Sequence, residues 1–432
     1  MRFLSYVLVI LSLVAVATGA AIADSHAPRS AMGVLADSTL SGYSDRGGIG
    51  GPEAIDAELE FNNQKSESFF RIPVRLFQPW YDLKARSNEK YGIRYGLNYT
   101  SVFIKSSDGI TERSETNAAG GIIDIPVSWL LVGRDSGNTG SLSMKLENRH
   151  PYSTVAPMLL GFETGSILLP ATKVNEFSFR FTELHWQQIL LGGQLHVVTG
   201  KVDPTNYYTF HGLIHPFMNY YSYAFSVTPS ANWPNQGAGV IVSGLDKSRR
   251  FYVMAGLHDA GGDPFESGDW LYFGDNFFDG NFFTAVEVGY TPSFGERYFK
   301  KVSATYWHAD AYEGSPAGQG VAFASHWFLQ ERYIPFLLAG FSDGKGANTI
   351  AKNTVSAGMG FRFKSHDVLG VGLNWTDPAG GFRDQYTAEV YYRFYLTEHL
   401  AITPDFQFIA DPALNTSQST LTYFGIRGRV TL

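Results

Sequence analysis

Charged and amide side chains recur at every second position along stretches whose other positions are apolar. Glu389, Tyr391 and Arg393 alternate with Val390, Tyr392 and Phe394. Asp405 and Gln407 alternate with Phe406 and Phe408, and Arg427 and Arg429 with Ile426 and Val430. The same rule collects Arg94 and Asn98, then Lys145, Glu147 and Arg149, then Glu183, His185 and Gln187, and later Glu287, Arg362 and Asn374. A period of two places each set on one face of an extended strand. A guanidinium only donates, a carboxylate only accepts and an amide does both, so a wall carrying all three can bond a hydroxyl group in either sense. A ring of a single charge would select ions instead. The lining therefore suits neutral polyhydroxylated solutes, with Tyr391, Tyr395 and Trp307 on the same parity to stack against their rings. The plainer alternative for each charged group is that it pairs with a neighbour and stiffens the wall, and Trp307 reads equally as an interfacial anchor.

Bond-making chemistry finds little support. His211 and His215 have a zinc-ligand spacing, but Gly212-Leu213-Ile214 between them lacks a zincin glutamate and Pro216 follows at once. Asp259, Asp263 and Asp269 lie in a glycine-containing stretch that could take calcium weakly, without the fixed spacing of an EF-hand. Gly344-Lys345-Gly346 is no phosphate loop, and neither Ser243 nor Ser356 sits in a nucleophile elbow. Glu183 and Glu287 could in principle form a glycosidase pair, but nothing in the sequence brings them together. The reading has no catalytic residue, no metal and no cofactor.

The elements that must position the alternating residues are strands. Sixteen can be laid out: Tyr91 to Ile104, Gly120 to Gly133, Gly140 to Arg149, Phe177 to Leu191, Gln194 to Val202, Gly237 to Leu245, Arg250 to His258 and Phe282 to Thr291. The second half adds Lys301 to Ala309, Gly320 to Leu329, Tyr333 to Ser342, Thr354 to Lys364, Asp367 to Thr376, Tyr386 to Leu396, Leu400 to Ala410 and Leu421 to Thr431. Tight joins such as Gly192-Gly193 and Ser365-His366 alternate with long ones such as 151–176 and 203–236. Short turns at one end and long loops at the other are what an outer-membrane barrel needs, and a sandwich has no reason to produce them. The expected fold is all-β, a transmembrane antiparallel β-barrel of about 16 strands over 91–432, ending in an apolar strand that closes the ring. The 203–236 loop is dense in aromatics and is expected to fold into the barrel and narrow the pore.

Before the barrel, Met1-Arg2, an apolar run from Phe3 to Ala17 and Ala21-Ile22-Ala23 read as a signal peptide, 1–23. Residues 24–75 are rich in Gly, Ser, Asp and Ala without a period and read as a mobile segment outside the barrel. Residues 76–90 read as a short amphipathic helix with Pro79 in its first turn. The chain has no cysteine, so it has neither disulfides nor thiolate sites. A net charge of -7 without a basic run argues against nucleic acid, and a mean hydropathy of -0.10 excludes a helical membrane bundle.

The last strands carry a resemblance. The run YYRFYLTEHLAITPDFQFIADP from Tyr391 to Pro412, the ending YFGIRGRVTL, and the segment from Glu183 to Asp203 with Gly-Lys-x-Asp at its end resemble the carbohydrate-selective porins of the OprB type. The chain departs from that family in lacking its Trp- and Gly-rich N-terminal signature and in ending on Leu432 rather than Phe. The resemblance implies passive diffusion of monosaccharides across the bacterial outer membrane, with arginine, acidic and aromatic residues at a constriction. Carried over residue by residue, it nominates Glu183, Gln187, Lys201, Asp203, Arg393, Asp405 and Gln407. With the inner-face reading, the full expected solute-binding set adds Arg94, Glu147, Arg149, Glu389 and Tyr391. Expected partners are permeating sugars and outer-membrane lipid, with a homo-oligomer left open. Two other readings stand beside this one: a general small-solute porin, and an exported all-β carbohydrate-binding protein or hydrolase.

Overall fold

The structure is a computed structural model and describes residues 48–64, 67–73, 76–134, 138–263, 268–363 and 366–432. The expected signal peptide lies outside the described residues. The alternating stretches form one antiparallel sheet of seventeen hydrogen-bonded segments. The first two, Ile93–Tyr95 and Asn98–Ser106, both pair with Asn117–Val132 and are two pieces of one strand, so the ring has sixteen strands. We number them β1 (both pieces), β2 (Asn117–Val132), β3 (Thr139–Pro151), β4 (Phe177–Leu190), β5 (Leu195–Val202), β6 (Gly237–Leu245), β7 (Phe251–Asp259) and β8 (Phe282–Tyr290). Then come β9 (Lys301–Ala309), β10 (Gly318–His326), β11 (Tyr333–Ser342), β12 (Ala351–Arg362), β13 (Val368–Pro378), β14 (Gln385–Thr397), β15 (Leu400–Ala410) and β16 (Thr420–Thr431).

Each strand pairs with its sequence neighbours, and β16 pairs with β1 from Tyr423↔Ser106 to Thr431↔Asn98, which closes the barrel. Leu97 and Leu432 exchange backbone hydrogen bonds in both directions, at 3.1 and 2.9 Å, just past the end of that ladder. Closure leaves no sheet edge for lipid to solvate. Outward positions hold exposed apolar side chains, among them Phe103, Val253, Leu373, Phe406, Phe424 and Ile426, and inward positions are buried. No described helix is long and apolar enough to cross a membrane; the crossing is made by strands. The tight turn after β4 needs positive φ at consecutive residues, met by Gly192 (62°) and Gly193 (90°).

Two helices precede or open the barrel. Helix α2 (Gln78–Tyr91) has Pro in its first turn and ends on Gly92 at φ 73°. The Arg134 guanidinium donates to the carbonyls of Asn88, Glu89 and Lys90 at its C-terminal end. Toward the other end Tyr81 Oη meets His399 Nε2 at 2.6 Å. Arg134 follows β2 and His399 lies between β14 and β15, so α2 spans the ends of β15, β16, β1 and β2. From Tyr81 to Lys90 the helix rises about 14 Å, matching the roughly 14 Å that the three spacings between these four strands require. The helix straps the seam at which the barrel closes.

Helix α1 (Ile55–Asn62) corrects the sequence reading. Residues 24–75 were expected outside the barrel; within 48–64, α1 packs against the inner wall instead, with Glu58 and Leu59 at 2% and 0% exposure. Ile55 and Leu59 share one face one helical turn apart, and Asp56 and Glu58 sit in the first turn, where the helix dipole favours carboxylates. Their partners come from strands far along the chain, which composition alone does not reveal.

Candidate functional site

The inward parity gathers every nominated strand residue on the inner wall, and all twelve nominated residues are buried. On β14 and β15 the register sets Glu389 opposite Gln407 and Tyr391 opposite Asp405, with Arg427 nearby on β16. A second group forms across β3, β4 and the end of β5, comprising Glu147, Arg149, Glu183, Gln187, Lys201 and Asp203. Arg94 lies apart from both on β1, paired with Asp56 and Ser128.

The 203–236 loop is buried between these groups: Tyr207, Tyr208, His211, His215, Tyr220 and Tyr221 are all 5% exposed or less. Irregular backbone at such depth needs a partner for every N–H and C=O. The wall supplies them by sign. Glu389 accepts from the backbone N–H groups of Tyr221 (2.5 Å) and Ser222 (3.0 Å), and Glu287 accepts from that of Thr209 (2.7 Å). Arg427 donates to the carbonyls of Pro216 and Asn219 and lies over the Tyr221 ring at 4.3 Å. Arg393 donates to Asn219 Oδ1 (2.8 Å) and to the carbonyls of Met218 and His366. Tyr391 reaches the same Asn219 oxygen at 3.3 Å. Gln407 donates to the Pro170 carbonyl (2.8 Å) and to Asp405 (2.9 Å), so the 152–176 loop also folds inward.

The second group is tied more by ion pairs. Arg149 bonds Glu147 (2.6 Å), the Lys173 carbonyl (2.8 Å) and Asn175 (2.9 Å). Arg149 and Arg180 lie over the Phe177 ring, each at 4.6 Å. Glu183 accepts from Asn206 (3.0 Å) and faces Lys145 at 3.5 Å, and Lys201 pairs with Asp263 at 2.7 Å. The Gly48 backbone passes so close to Gln187 that a Cβ there would lie 2.9 Å from the amide nitrogen. Asp203 caps the short turn at Pro204–Asn206 through Thr205 and takes bonds from Lys173 and Gln236. Burial alone would raise the Asp203 carboxyl; Lys173 and the donors from Thr205 and Gln236 bring it down to about 2, so it is ionised.

Other sequence candidates serve the loops themselves. His211 accepts from the Leu213 N–H at Nδ1 and donates from Nε2 to the Phe225 carbonyl at 2.7 Å, stacked on Phe336 at 4.2 Å. Burial lowers its pKa to about 4, which keeps the ring neutral. Asp259 accepts from the N–H groups of Gly261, Gly262 and Phe277, and Asp263 is engaged by Lys201 and Arg180. Trp307 is fully buried on the inner face beside Phe283. The sequence reading passed over Glu53, Asp56, Glu58, Asp124 and Lys173. Asp124 had a usable signal, a lone carboxylate on the inner parity of an apolar strand; Lys173 had none.

The cavity lined by Tyr207, Phe210, Tyr252, Glu287 and Lys301 has about 20 Å³ of room, enough for a single water and not for a hexose.

Residues 335–432 match the family described as carbohydrate-selective porin, OprB family. The barrel is OprB-like. A high-pH structure of Pseudomonas putida OprB superposes with a TM-score of 0.69 at 14% identity, covering 85% of this chain and 99% of that one. A low-pH structure of the same protein gives 0.50 at 15% identity, with 85% and 100% covered. A triple mutant of the Rhodopseudomonas blastica porin gives 0.49 at 12%, with 78% and 99% covered. At these identities the likeness to the Pseudomonas structures establishes the fold. A search of curated proteins finds no match. The family match over the last strands and the closed barrel give this OprB-like chain the architecture of an outer-membrane porin.

Proposed function

We propose that the protein passes carbohydrates, monosaccharides in particular, by facilitated diffusion through a lumen narrowed by the 203–236 loop. The observation that carries the reading is a closed barrel whose inner face mixes guanidinium, carboxylate, amide and phenol groups, in a chain whose last strands match a carbohydrate-selective family. Arg94, Glu147, Arg149, Glu183, Gln187, Lys201, Asp203, Glu389, Tyr391, Arg393, Asp405 and Gln407 are proposed as the wall of that path. Of these, Gln407 has a spare acceptor, since its Oε1 bonds no protein donor; Arg427, on the adjoining strand near Asp405, keeps a free Nε. A cleaved signal, cut before Asp24, would deliver the chain to the envelope, which mass spectrometry of the mature protein checks.

The test is ion current through single channels in planar bilayers with glucose added to one side. Current should fall in a saturable way as glucose occupies the path. A current indifferent to glucose, with equal permeation of uncharged solutes of similar size, would favour a general small-solute porin. That second reading has its own support, because most of the nominated heads are already bonded to the protein.

A further inference from the structure

Residues 48–63 lie where a pore would have to stay open. From β3, Lys145 reaches Glu58 at 3.0 Å and the Glu53 carbonyl at 3.2 Å. From β16, Arg429 reaches the same Glu58 at 2.7 Å and Asp124 at 3.1 Å. From β1, Arg94 pairs with Asp56, and Asn98 bonds both Glu58 and Asn62. Arg393 of β14 covers the Phe61 ring at 5.6 Å.

The inward loops hold the segment as well. Lys173 pairs with Glu53 at 2.5 Å, and the Gly51 N–H donates to the Asn206 carbonyl at 2.6 Å. Helix α1 thus packs on one arc of the ring, β14 through β16 and β1 to β3, while Ile49 at the head of the segment lines a cavity with Tyr252 of β7, Glu287 of β8 and Lys301 of β9 on the facing arc. Between them residues 48–63 cross the lumen.

A sixteen-stranded ring leaves an aqueous channel unless something fills it, and a helix about 10 Å across takes a large share of that space. A helix of eight residues has little stability of its own, so α1 owes its place to these contacts, and they are chiefly ionic.

We propose that residues 48–63 are a built-in constriction element. Together with the 203–236 loop they form the narrowest part of the path, and the carboxylates of Glu53 and Glu58 are specificity-determining groups within it. The inference rests on the channel reading and is independent of which solute passes.

Two variants test it in planar bilayers. Ala57 is half-buried and lines a small cavity with Ser143, His185 and Gln187. The chain has no native cysteine, so Ala57→Cys is a unique thiol that leaves the ion pairs intact. Its modification by a cationic methanethiosulfonate reagent should cut single-channel current by about half, as an added charge in a constriction does. Modification of Glu89→Cys on α2 should leave current unchanged. Deletion of 48–63 from the full chain should raise conductance about two-fold, and Glu58→Gln in the undeleted chain should lower its cation-over-anion preference. Full modification of Ala57→Cys, verified by mass, without loss of current would overturn the proposal. Unchanged conductance in a folded deletion barrel would do the same. A channel that ignores sugars but responds to both variants would sink the sugar reading and leave this one standing.

Discussion

Glu389 offers the sharpest perturbation, because its two oxygens hold two adjacent backbone N–H groups of the long loop and it is fully buried. In Glu389→Gln one acceptor becomes an amide NH2 that faces an N–H, so one buried donor is left without a partner. Such a donor costs about 1–3 kcal/mol. At 1.4 kcal/mol per decade, the population with the loop released from the wall should rise roughly 5- to 150-fold. Glu389→Ala leaves both donors unmet and should release the loop further, by about 2–6 kcal/mol. The strand ladder on either side uses backbone groups alone, so the barrel should survive both changes. Met218→Cys, a loop residue 4% exposed, supplies the reporter. Its labelling rate by a water-soluble thiol reagent follows the open population when reclosing is fast. The Gln variant should label faster by the stated factor and conduct more current. Equal labelling rates in the parent and in a folded Gln variant would refute the claim that Glu389 anchors the loop.

Deleting Tyr207 to Asn219 should raise single-channel conductance, since that stretch fills space between β8 and β14; an unchanged conductance would show that it stands aside from the path. Lys84 is 1% exposed, and burial lowers its pKa from 10.5 to about 8. With the folded value below the unfolded one, the undocked helix binds more protons between those limits, so docking of α2 should strengthen as pH rises from about 8 to 10.5; hydrogen exchange of α2 would read this, and Lys84→Met should remove the dependence. Arg429→Met strips one cation from Glu58 and Asp124, both buried, and should cost about 3–5 kcal/mol, seen as a lower urea midpoint for the folded gel band; Lys201→Met, which leaves Asp263 with Arg180, should cost less.

The barrel was legible because alternation and breakers are local. β11 was read at its observed bounds, Tyr333–Ser342, and β6 likewise at Gly237–Leu245. β10 was read as ending at Leu329 but ends at His326, because Leu329 turns back to bridge Tyr333. Pro79 was the local signal for helix α2, read over 76–90 and found at Gln78–Tyr91. Segment 48–64 was misread for the opposite reason. Its helix is short, uncapped by any side chain and secured by residues such as Arg429, hundreds of positions away. For the site, parity told which face a residue takes and nothing about its partner. Arg393 and Glu389 were assigned to the lumen by parity, but that both would grip the same loop could not be read from spacing.

The division of labour between signs gives the mixed lining a cause of its own. A loop without regular structure brings both N–H and C=O groups into a space with little water, and each must be met. Carboxylates can meet only the first and guanidinium groups only the second. Glu287 and Glu389 take N–H groups, while Arg149, Arg393 and Arg427 take carbonyls. Both charges would be required on this wall even if no solute ever passed. The same donors and acceptors are what a sugar hydroxyl needs, so a solute entering here competes with the protein's own backbone for them. Discrimination then falls to groups with unused capacity, such as Gln407 Oε1 and Arg427 Nε, and to whatever the loop releases when it moves. Loosening the loop at Glu389 should therefore change which solutes pass as well as how much current flows, whereas truncating an outward residue such as Phe406 should change neither.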